Sequence, residues 1–159
     1  MSSLPYVYPI YLHRLTGSLV VVIGGGAVGK RKIHGLLPTG AHIRLISPQA
    51  TPALRALAAA GQIEWLERAY QPGDLHGARL AFAATDQRTV NAALAAEAAA
   101  SNILCNVADD PVAGDFHLPA LHRQDELTIA IGTGGSSPTR AKAVRDQIAR
   151  ALKTYLRFS

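Results

Sequence analysis

A glycine-rich segment directly after a short apolar run constrains the fold of this chain more than any other feature. The run at residues 19–23 is rich in β-branched residues and is typical of a buried strand. Gly24-Gly25-Gly26-Ala27-Val28-Gly29 follows it, and residues 27–37 have the apolar spacing of a helix. A G-x-G-x-x-G sequence between a strand and a helix is typical of a turn that binds a dinucleotide.

The spaced glycines of this turn have separate expected roles. Gly24 makes the tight turn, Gly26 lets the pyrophosphate approach the backbone, and Gly29 lets the helix pack closely on the strand. The helix N-terminus offers unpaired N–H groups and a partial positive charge to the phosphates. The alternative is a glycine-rich turn without a ligand, but the position between strand and helix favours a dinucleotide site.

Strands and helices continue to alternate along the chain as far as Pro111. We predict strands at residues 42–47, 63–66, 80–84 and 103–107, and helices at residues 52–61 and from about residue 87 to residue 100. Such alternation predicts an α/β fold with a Rossmann-like doubly wound parallel sheet. We assign residues 1–112 to a dinucleotide-binding domain of this kind.

The pattern changes after Pro111. Residues 127–131 have the composition of a strand, residues 132–137 form a glycine and serine turn, and Ser137-Pro138 is a suitable start for a helix that runs towards Tyr155. This part does not readily extend a parallel sheet. We therefore interpret residues 113–159 as a small α+β region that forms a dimer.

The composition argues against several other kinds of protein. The net charge of +5 is not gathered into basic blocks, so no nucleic-acid partner is predicted, and an acidic small molecule fits this charge equally well. The sequence has neither the ~18 uncharged apolar residues of a membrane span nor a signal-peptide pattern, so we expect a cytoplasmic protein. Cys105 is the only cysteine and the six histidines lack ligand spacing, so no protein metal site is predicted.

The end of the second predicted strand bears on which dinucleotide is bound. An acidic residue there usually holds the ribose of NAD, but this strand ends in Ser47-Pro48-Gln49. Ser47 and Gln49 can still hydrogen-bond a ribose. Because Arg44 is nearby and no carboxylate would repel a 2′-phosphate, the residues alone leave NAD and NADP open.

Acidic residues follow two further predicted strands. Thr85-Asp86 and Asp109-Asp110 lie where strands end, and the carboxyl ends of parallel strands form the ligand-binding edge of such sheets. We expect these four residues to face one crevice. Asp86 has the alternative role of a helix N-cap, and Asp109 or Asp110 that of an Asx turn. One of the latter pair is a candidate for proton transfer.

An ordered set of short segments resembles a known family, the precorrin-2 dehydrogenases, including the corresponding N-terminal part of multifunctional siroheme synthases. The segments are Tyr8-Pro9-Ile10-Tyr11-Leu12, Gly24-Gly25-Gly26-Ala27-Val28, Arg31-Lys32, Ala83-Ala84-Thr85-Asp86, Asn106-Val107-Ala108-Asp109, Phe116-His117-Leu118-Pro119-Ala120 and Gly134-Gly135-Ser136-Ser137-Pro138. Together they cover nearly the whole chain, and their order makes the resemblance specific.

The resemblance implies an NAD-dependent oxidation of precorrin-2 to sirohydrochlorin, and in some members the insertion of ferrous iron. It implies a homodimer whose active sites lie between the subunits. Carried over by position, Ala27, Val28, Pro48 and Gln49 would line the cofactor, Thr85 and Asp86 would lie near its nicotinamide, and Asp109 would be the essential carboxylate. The candidate contacts for the tetrapyrrole are His117, Thr133, Ser136 and Arg140, the last on a helix with an excess of basic residues.

Several alternatives stay open at this point. The chain could be a nucleotide- or tetrapyrrole-binding module without turnover, an expectation supported by the lack of the further helical segment with which most family members continue beyond the position of Ser159. For His117 a packing role is favoured over contact with a ligand, whereas the basic helix could equally be a solvated surface. Another type of small-molecule dehydrogenase would need a catalytic histidine, lysine or tyrosine dyad, and no convincing one is present.

Overall fold

A computed structural model describes residues 7–155 of the chain, with side chains as far as residue 152. The chain divides into two compact units. The larger is Tyr11–Phe116, and the smaller combines Met1–Ile10 with His117–Ser159. The glycine-rich turn and Asp109 both belong to the larger unit.

Five parallel strands form the centre of the larger unit. Its elements, in chain order, are β1 (Leu19–Gly25), α1 (Ala27–Leu36), a short 3-10 helix (Leu37–Thr39), β2 (His42–Ala50), α2 (Pro52–Ala59), β3 (Glu64–Leu66), β4 (Leu80–Ala83), α3 (Arg88–Ala100) and β5 (Leu104–Val107). The strands lie in the order β3-β2-β1-β4-β5, and every neighbouring pair is parallel. This arrangement confirms the predicted α/β fold with a Rossmann-like doubly wound sheet.

Helices cover both faces of this sheet. Val22 of β1 packs in one cluster with Ile33 of α1, and Val21 packs in a second cluster with Leu94 of α3. All four side chains are fully buried. A strand that is buried on both faces needs apolar residues at every position, which explains the unbroken apolar run that begins β1.

β2 continues three residues beyond the predicted end at Ser47. Its last residue, Ala50, pairs with Gly25, and the Thr51 N–H donates to the Gly25 carbonyl at 3.0 Å. The pairing register shifts between Ile23 and Gly25, as β1 enters the glycine-rich turn. Pairing with this turn sets the end of β2, which the local Ser-Pro-Gln sequence does not reveal.

The segment after β5 covers the outer edge of that strand. The Asp115 N–H donates to the Cys105 carbonyl, and the Cys105 N–H donates to the Asp115 carboxylate, both at 2.8 Å. Phe116 then packs edge-on against Phe82 of β4, with ring centroids 5.6 Å apart. These contacts occupy backbone groups that an edge strand would otherwise expose.

The smaller unit consists of a strand pair and one helix. β6 (Ala120–Gln124) and β7 (Leu127–Ile131) are antiparallel, and α4 (Pro138–Tyr155) packs against both. The predicted strand at residues 127–131 and the predicted helix start at Pro138 are confirmed, with the Arg140 N–H donating to Ser137 Oγ at 3.2 Å. β6 was not predicted, because its His-Arg-Gln end lacks the composition of a strand. Antiparallel pairing with β7 stabilises it instead.

Within the described ranges, no helix has the length and apolar character needed to cross a membrane.

Candidate active site

The glycine-rich turn lies between β1 and α1, at the carboxyl edge of the sheet. Gly24 has a φ of +114°, and a Cβ placed on it would lie 2.4 Å from the carbonyl oxygen of Ala84. A Cβ on Gly29 would lie 1.8 Å from the carbonyl oxygen of Gly24. Both glycines therefore allow backbone segments to approach each other more closely than any side chain permits.

Gly26 differs from these two glycines. A Cβ placed on it would meet no atom within 4 Å, and the residue is exposed. Gly26 is the N-cap of α1, where no side chain caps the helix and no acidic residue occupies the first turn. The N–H groups of the first turn are thus available to an anion, and the space beside Gly26 allows a diphosphate to approach them.

Ala27 is exposed and Val28 is half-buried in this first turn. Beside the turn, Thr51 has a buried Oγ1 without a hydrogen-bond partner among the described residues. An open cradle, an uncapped helix N-terminus and an unsatisfied hydroxyl nearby together fit a dinucleotide at this edge.

Ser47 supports the turn from the neighbouring strand. It is buried, its Oγ accepts from the Gly25 N–H at 3.0 Å, and its carbonyl accepts from Trp65 Nε1 at 3.0 Å. Pro48 and Gln49 are exposed beyond it. Of the residues expected at the ribose, Ser47 therefore has a structural role in holding Gly25, whereas Pro48 and Gln49 lie on the accessible side.

Arg44 is not available at the end of β2, although the sequence drew attention to it. Its Nε donates to Glu64 Oε2 at 2.8 Å, across the β2–β3 pair, and His42 also reaches that carboxylate at 3.1 Å. The hydrogen bond from Arg44 lowers the pKa of Glu64 from its usual value. The Arg44 side chain is thus paired with Glu64, three residues before Ser47 along β2.

Thr85 follows β4, next to the glycine-rich turn. Its Oγ1 accepts from the Gln87 N–H at 3.1 Å and donates to Asn91 Oδ1 at 2.7 Å. Asp86 is exposed, and Gln87, not Asp86, is the N-cap residue of α3. The alternative interpretation of Asp86 as the N-cap is therefore wrong, because α3 begins one residue later than that cap requires and no side chain caps it.

Asn91, which was not predicted as a site residue, links the residues that follow β4 and β5. Its side chain is 2% exposed, and its Nδ2 donates to the Thr85 carbonyl at 3.0 Å and to Asp109 Oδ1 at 2.7 Å. It shares the sheet-facing side of α3 with Leu94 and Ala98. An amide at helical spacing with buried apolar residues was the signal that could have identified it.

The two neighbouring aspartates have different environments. Asp110 Oδ1 accepts from the N–H groups of Val112 at 3.1 Å and Ala113 at 3.3 Å, so Asp110 forms an Asx turn. Asp109 holds no such turn, and its side chain is 33% exposed, with Oδ2 3.8 Å from Arg88 Nε. The structure therefore brings Thr85 and Asp109 together through Asn91, and it turns Asp110 towards its own loop.

A buried lysine lies on the other face of the sheet. Lys32 of α1 is 9% exposed, its Nζ donates to Asn106 Oδ1 at 2.7 Å, and it lies 5.7 Å from the centre of the Phe82 ring. Asn106 in turn donates to the Phe116 carbonyl at 2.8 Å. Burial, followed by the charge of Arg31, lowers the pKa of Lys32 to about 8.

The candidate tetrapyrrole contacts belong to the smaller unit. Thr133 and Ser136 form the turn before α4: Ser136 Oγ donates to the Thr133 carbonyl at 2.6 Å, and Thr133 Oγ1 accepts from the Ser137 N–H at 3.0 Å. Arg140 is exposed in the first turn of α4, and His117 is half-buried. Among the side chains that the structure describes, no three histidine, cysteine or acidic residues are grouped so as to hold a metal ion.

Known proteins resemble this chain over most of its length. Siroheme synthase 1 from Aeromonas salmonicida (strain A449) is 38% identical over 148 residues, which are 93% of this chain and 31% of that protein. A siroheme synthase from Chromobacterium violaceum is 40% identical over 141 residues, which are 89% of this chain and 30% of that protein. The chain thus spans about a third of the length of the curated relatives that it matches.

A solved structure, SirC, precorrin-2 dehydrogenase, superimposes with a TM-score of 0.79 and 28% sequence identity, covering 91% of this chain and 71% of that one. The resemblance inferred from the ordered motifs is therefore confirmed. A family model described as "Putative NAD(P)-binding" matches residues 11–120, a segment that begins before β1 and ends at the start of β6. Because this match includes more than half of the sequence, the chain belongs to the putative NAD(P)-binding family.

Proposed function

We propose that this chain catalyses the NAD-dependent oxidation of precorrin-2 to sirohydrochlorin, a step of siroheme biosynthesis. The observation that carries the proposal is the Asp109 carboxylate, which is held beside Thr85 at the edge of the sheet where the glycine-rich turn lies. The similarity of the chain to a precorrin-2 dehydrogenase structure and to siroheme synthases supports this substrate and reaction.

The glycine-rich turn and the first turn of α1 would bind the diphosphate of the cofactor. The N–H groups near Gly26, Ala27 and Val28 would donate to its oxygens, and exposed Pro48 and Gln49 would lie along its ribose. When bound, NAD supplies the acceptor for the hydride that leaves the macrocycle. The ion pair of Arg44 with Glu64 supports NAD over NADP, because a carboxylate beside the guanidinium weakens its attraction for a 2′-phosphate.

Asp109 would accept the proton that leaves the macrocycle. Oxidation of precorrin-2 removes two hydrogens, one as a hydride and one as a proton, so the reaction yields sirohydrochlorin, the reduced nicotinamide and one released proton. A carboxylate at the nicotinamide end of the site is suited to take that proton. Oδ1 is held by Asn91, which leaves Oδ2 as the oxygen to receive it.

The smaller unit would supply contacts for the tetrapyrrole carboxylates. Arg140 is exposed at the start of α4, next to the turn that holds Thr133 and Ser136. We place His117 in the same group by its position in the family motif. A homodimer, in which a second copy completes the substrate site, is part of this proposal.

Anaerobic spectroscopy with precorrin-2 tests the function. We expect NADH and sirohydrochlorin to form together in a one-to-one ratio, with NAD preferred over NADP. Tight NAD binding without conversion would contradict the proposal and support a binding module. Ferrous iron added to the same cuvette then shows whether siroheme follows.

Two variants test the role of Asp109. Asp109→Asn keeps an oxygen that can accept from Asn91 but removes the base, and we expect turnover to fall by roughly 10²–10⁴-fold with NAD affinity unchanged. Asp110→Asn is the matched control, because an amide oxygen can still accept from Val112 and Ala113. Full turnover in Asp109→Asn would show that another group takes the proton.

A further inference from the structure

We infer that Asn91 is a positioning residue that fixes the orientation of the Asp109 carboxylate and presents Oδ2 to the substrate. The inference rests on the proposed function, in which Asp109 is the proton acceptor. The Asn91 amide is 2% exposed, and it hydrogen-bonds to polar groups at the carboxyl edge of the sheet.

The hydrogen-bonding capacity of this amide is fully used. Oδ1 accepts from Thr85 Oγ1 at 2.7 Å and from the Thr85 N–H at 3.3 Å. Nδ2 donates to the Thr85 carbonyl at 3.0 Å and to Asp109 Oδ1 at 2.7 Å. A primary amide has two donor hydrogens and two acceptor lone pairs, so every one has a partner and the amide cannot be flipped without losing them.

This arrangement makes the two oxygens of Asp109 unequal. Oδ1 accepts a hydrogen bond from a buried donor, whereas the ion pair of Oδ2 among the described residues is with Arg88 Nε, at 3.8 Å, whose side chain is 89% exposed. An exposed arginine at that distance does not fix a carboxylate. The carboxylate is therefore oriented from its buried side, and the substrate meets a single oxygen in a defined direction.

Asn91 also couples this orientation to the adjacent strand. Thr85 follows β4, Asp109 follows β5, and the Ala108 N–H donates to the Ala83 carbonyl at 3.0 Å. Proton and hydride must leave the same molecule, so the base and the nicotinamide site need a fixed separation. One buried amide that bonds to both loops supplies that constraint.

Asn91→Asp is the sharpest test because it changes the shape of the side chain very little. One carboxylate oxygen can still accept from Thr85, but the other replaces a donor that lies 2.7 Å from Asp109 Oδ1. Two carboxylates at this distance cannot both be ionised and must share a proton. We expect the acidic limb of the kcat/KM profile to move to higher pH by about one unit or more, so that turnover lost at neutral pH is partly regained at higher pH.

Leu94→Val controls for a general weakening of α3. Leu94 is fully buried one turn further along the same helix face, and it packs in an apolar cluster that does not include Asp109. We expect Leu94→Val to keep the wild-type pH profile and kcat. A profile of Asn91→Asp that matches that of the wild type would overturn the inference.

A measurement without turnover separates this inference from the proposed function. In ¹⁵N–¹H spectra of the whole protein, we expect the Nδ2 hydrogen of Asn91 that faces Asp109 to shift when Asp109 is replaced in Asp109→Asn and when the pH is lowered. An unchanged signal would overturn the positioning role even if the enzyme is active. A shifted signal in a protein that does not convert precorrin-2 would retain the contact and overturn the proposed function instead.

Discussion

The two glycines Gly24 and Gly26 are two positions apart, but their substitution by alanine is expected to affect different properties. At Gly24 the backbone has a φ of +114°, which alanine adopts at a cost of about 1–3 kcal/mol. The new Cβ would also lie 2.4 Å from the Ala84 carbonyl oxygen and 2.9 Å from the Thr85 nitrogen. Because these are backbone atoms of the neighbouring strand and its loop, they cannot turn away as a side chain can.

Relief of that overlap requires β1 and β4 to separate, which costs a further ~1–3 kcal/mol by analogy with overpacked cores. The expected loss in the free energy of unfolding for Gly24→Ala is therefore about 2–6 kcal/mol. For a domain of this size each kcal/mol corresponds to roughly 2–4 °C in Tm. Urea denaturation and calorimetry measure both quantities.

Gly26→Ala is the matched comparison. Its φ is −79° and a new Cβ would meet nothing within 4 Å, so the loss of stability should stay below about 1 kcal/mol. That Cβ would occupy the space through which a diphosphate reaches the N–H groups of α1, and we expect NAD affinity to fall at least tenfold. Equal stability losses in the two variants, or unchanged NAD affinity in Gly26→Ala, would refute the roles assigned to these glycines.

Three further predictions concern the larger unit. Burial lowers the pKa of Lys32 from 10.5 to about 8, so between these two pH values the unfolded chain binds more protons than the folded protein. The free energy of unfolding should therefore rise by about 2–3 kcal/mol from about pH 8 to pH 10.5. Urea titrations of Lys32→Met should lack this rise. Ser47→Ala removes the acceptor of the buried Gly25 N–H, and denaturation should show a loss of about 1–3 kcal/mol. Asp115→Ala removes the acceptor of the Cys105 N–H, and hydrogen exchange at that amide should become faster, whereas an unchanged rate would contradict the proposed cover of β5.

The sequence contained more information about the fold than about the site. The glycine-rich turn, the alternation of strands and helices and the start of α4 depend on local features, namely the spacing of apolar residues, glycines at positions of positive φ, and a serine before a proline. These features can be recognised within a few residues of chain. The site was predicted only as a set of strand ends, and the structure links two of the residues named there, Thr85 and Asp109, through Asn91.

Which of those side chains contact each other depended on the tertiary structure. Asp109 and Asp110 are adjacent and chemically identical, and only the fold turns Asp110 into its own loop while directing Asp109 to Asn91. Ser47 was expected at a ribose, but the extension of β2 along the glycine-rich turn buries it against Gly25.

The sequence by itself determined that a dinucleotide-type turn opens a parallel sheet, because a strand, a tight glycine turn and a helix are specified by neighbouring residues. Only the tertiary structure decided that Asn91 bonds to Asp109, eighteen positions along the chain. That contact forms because β4 and β5 are neighbours in the sheet and α3 lies across them. Strand order is a long-range property, and local periodicity carries no information about which buried amide will meet which carboxylate.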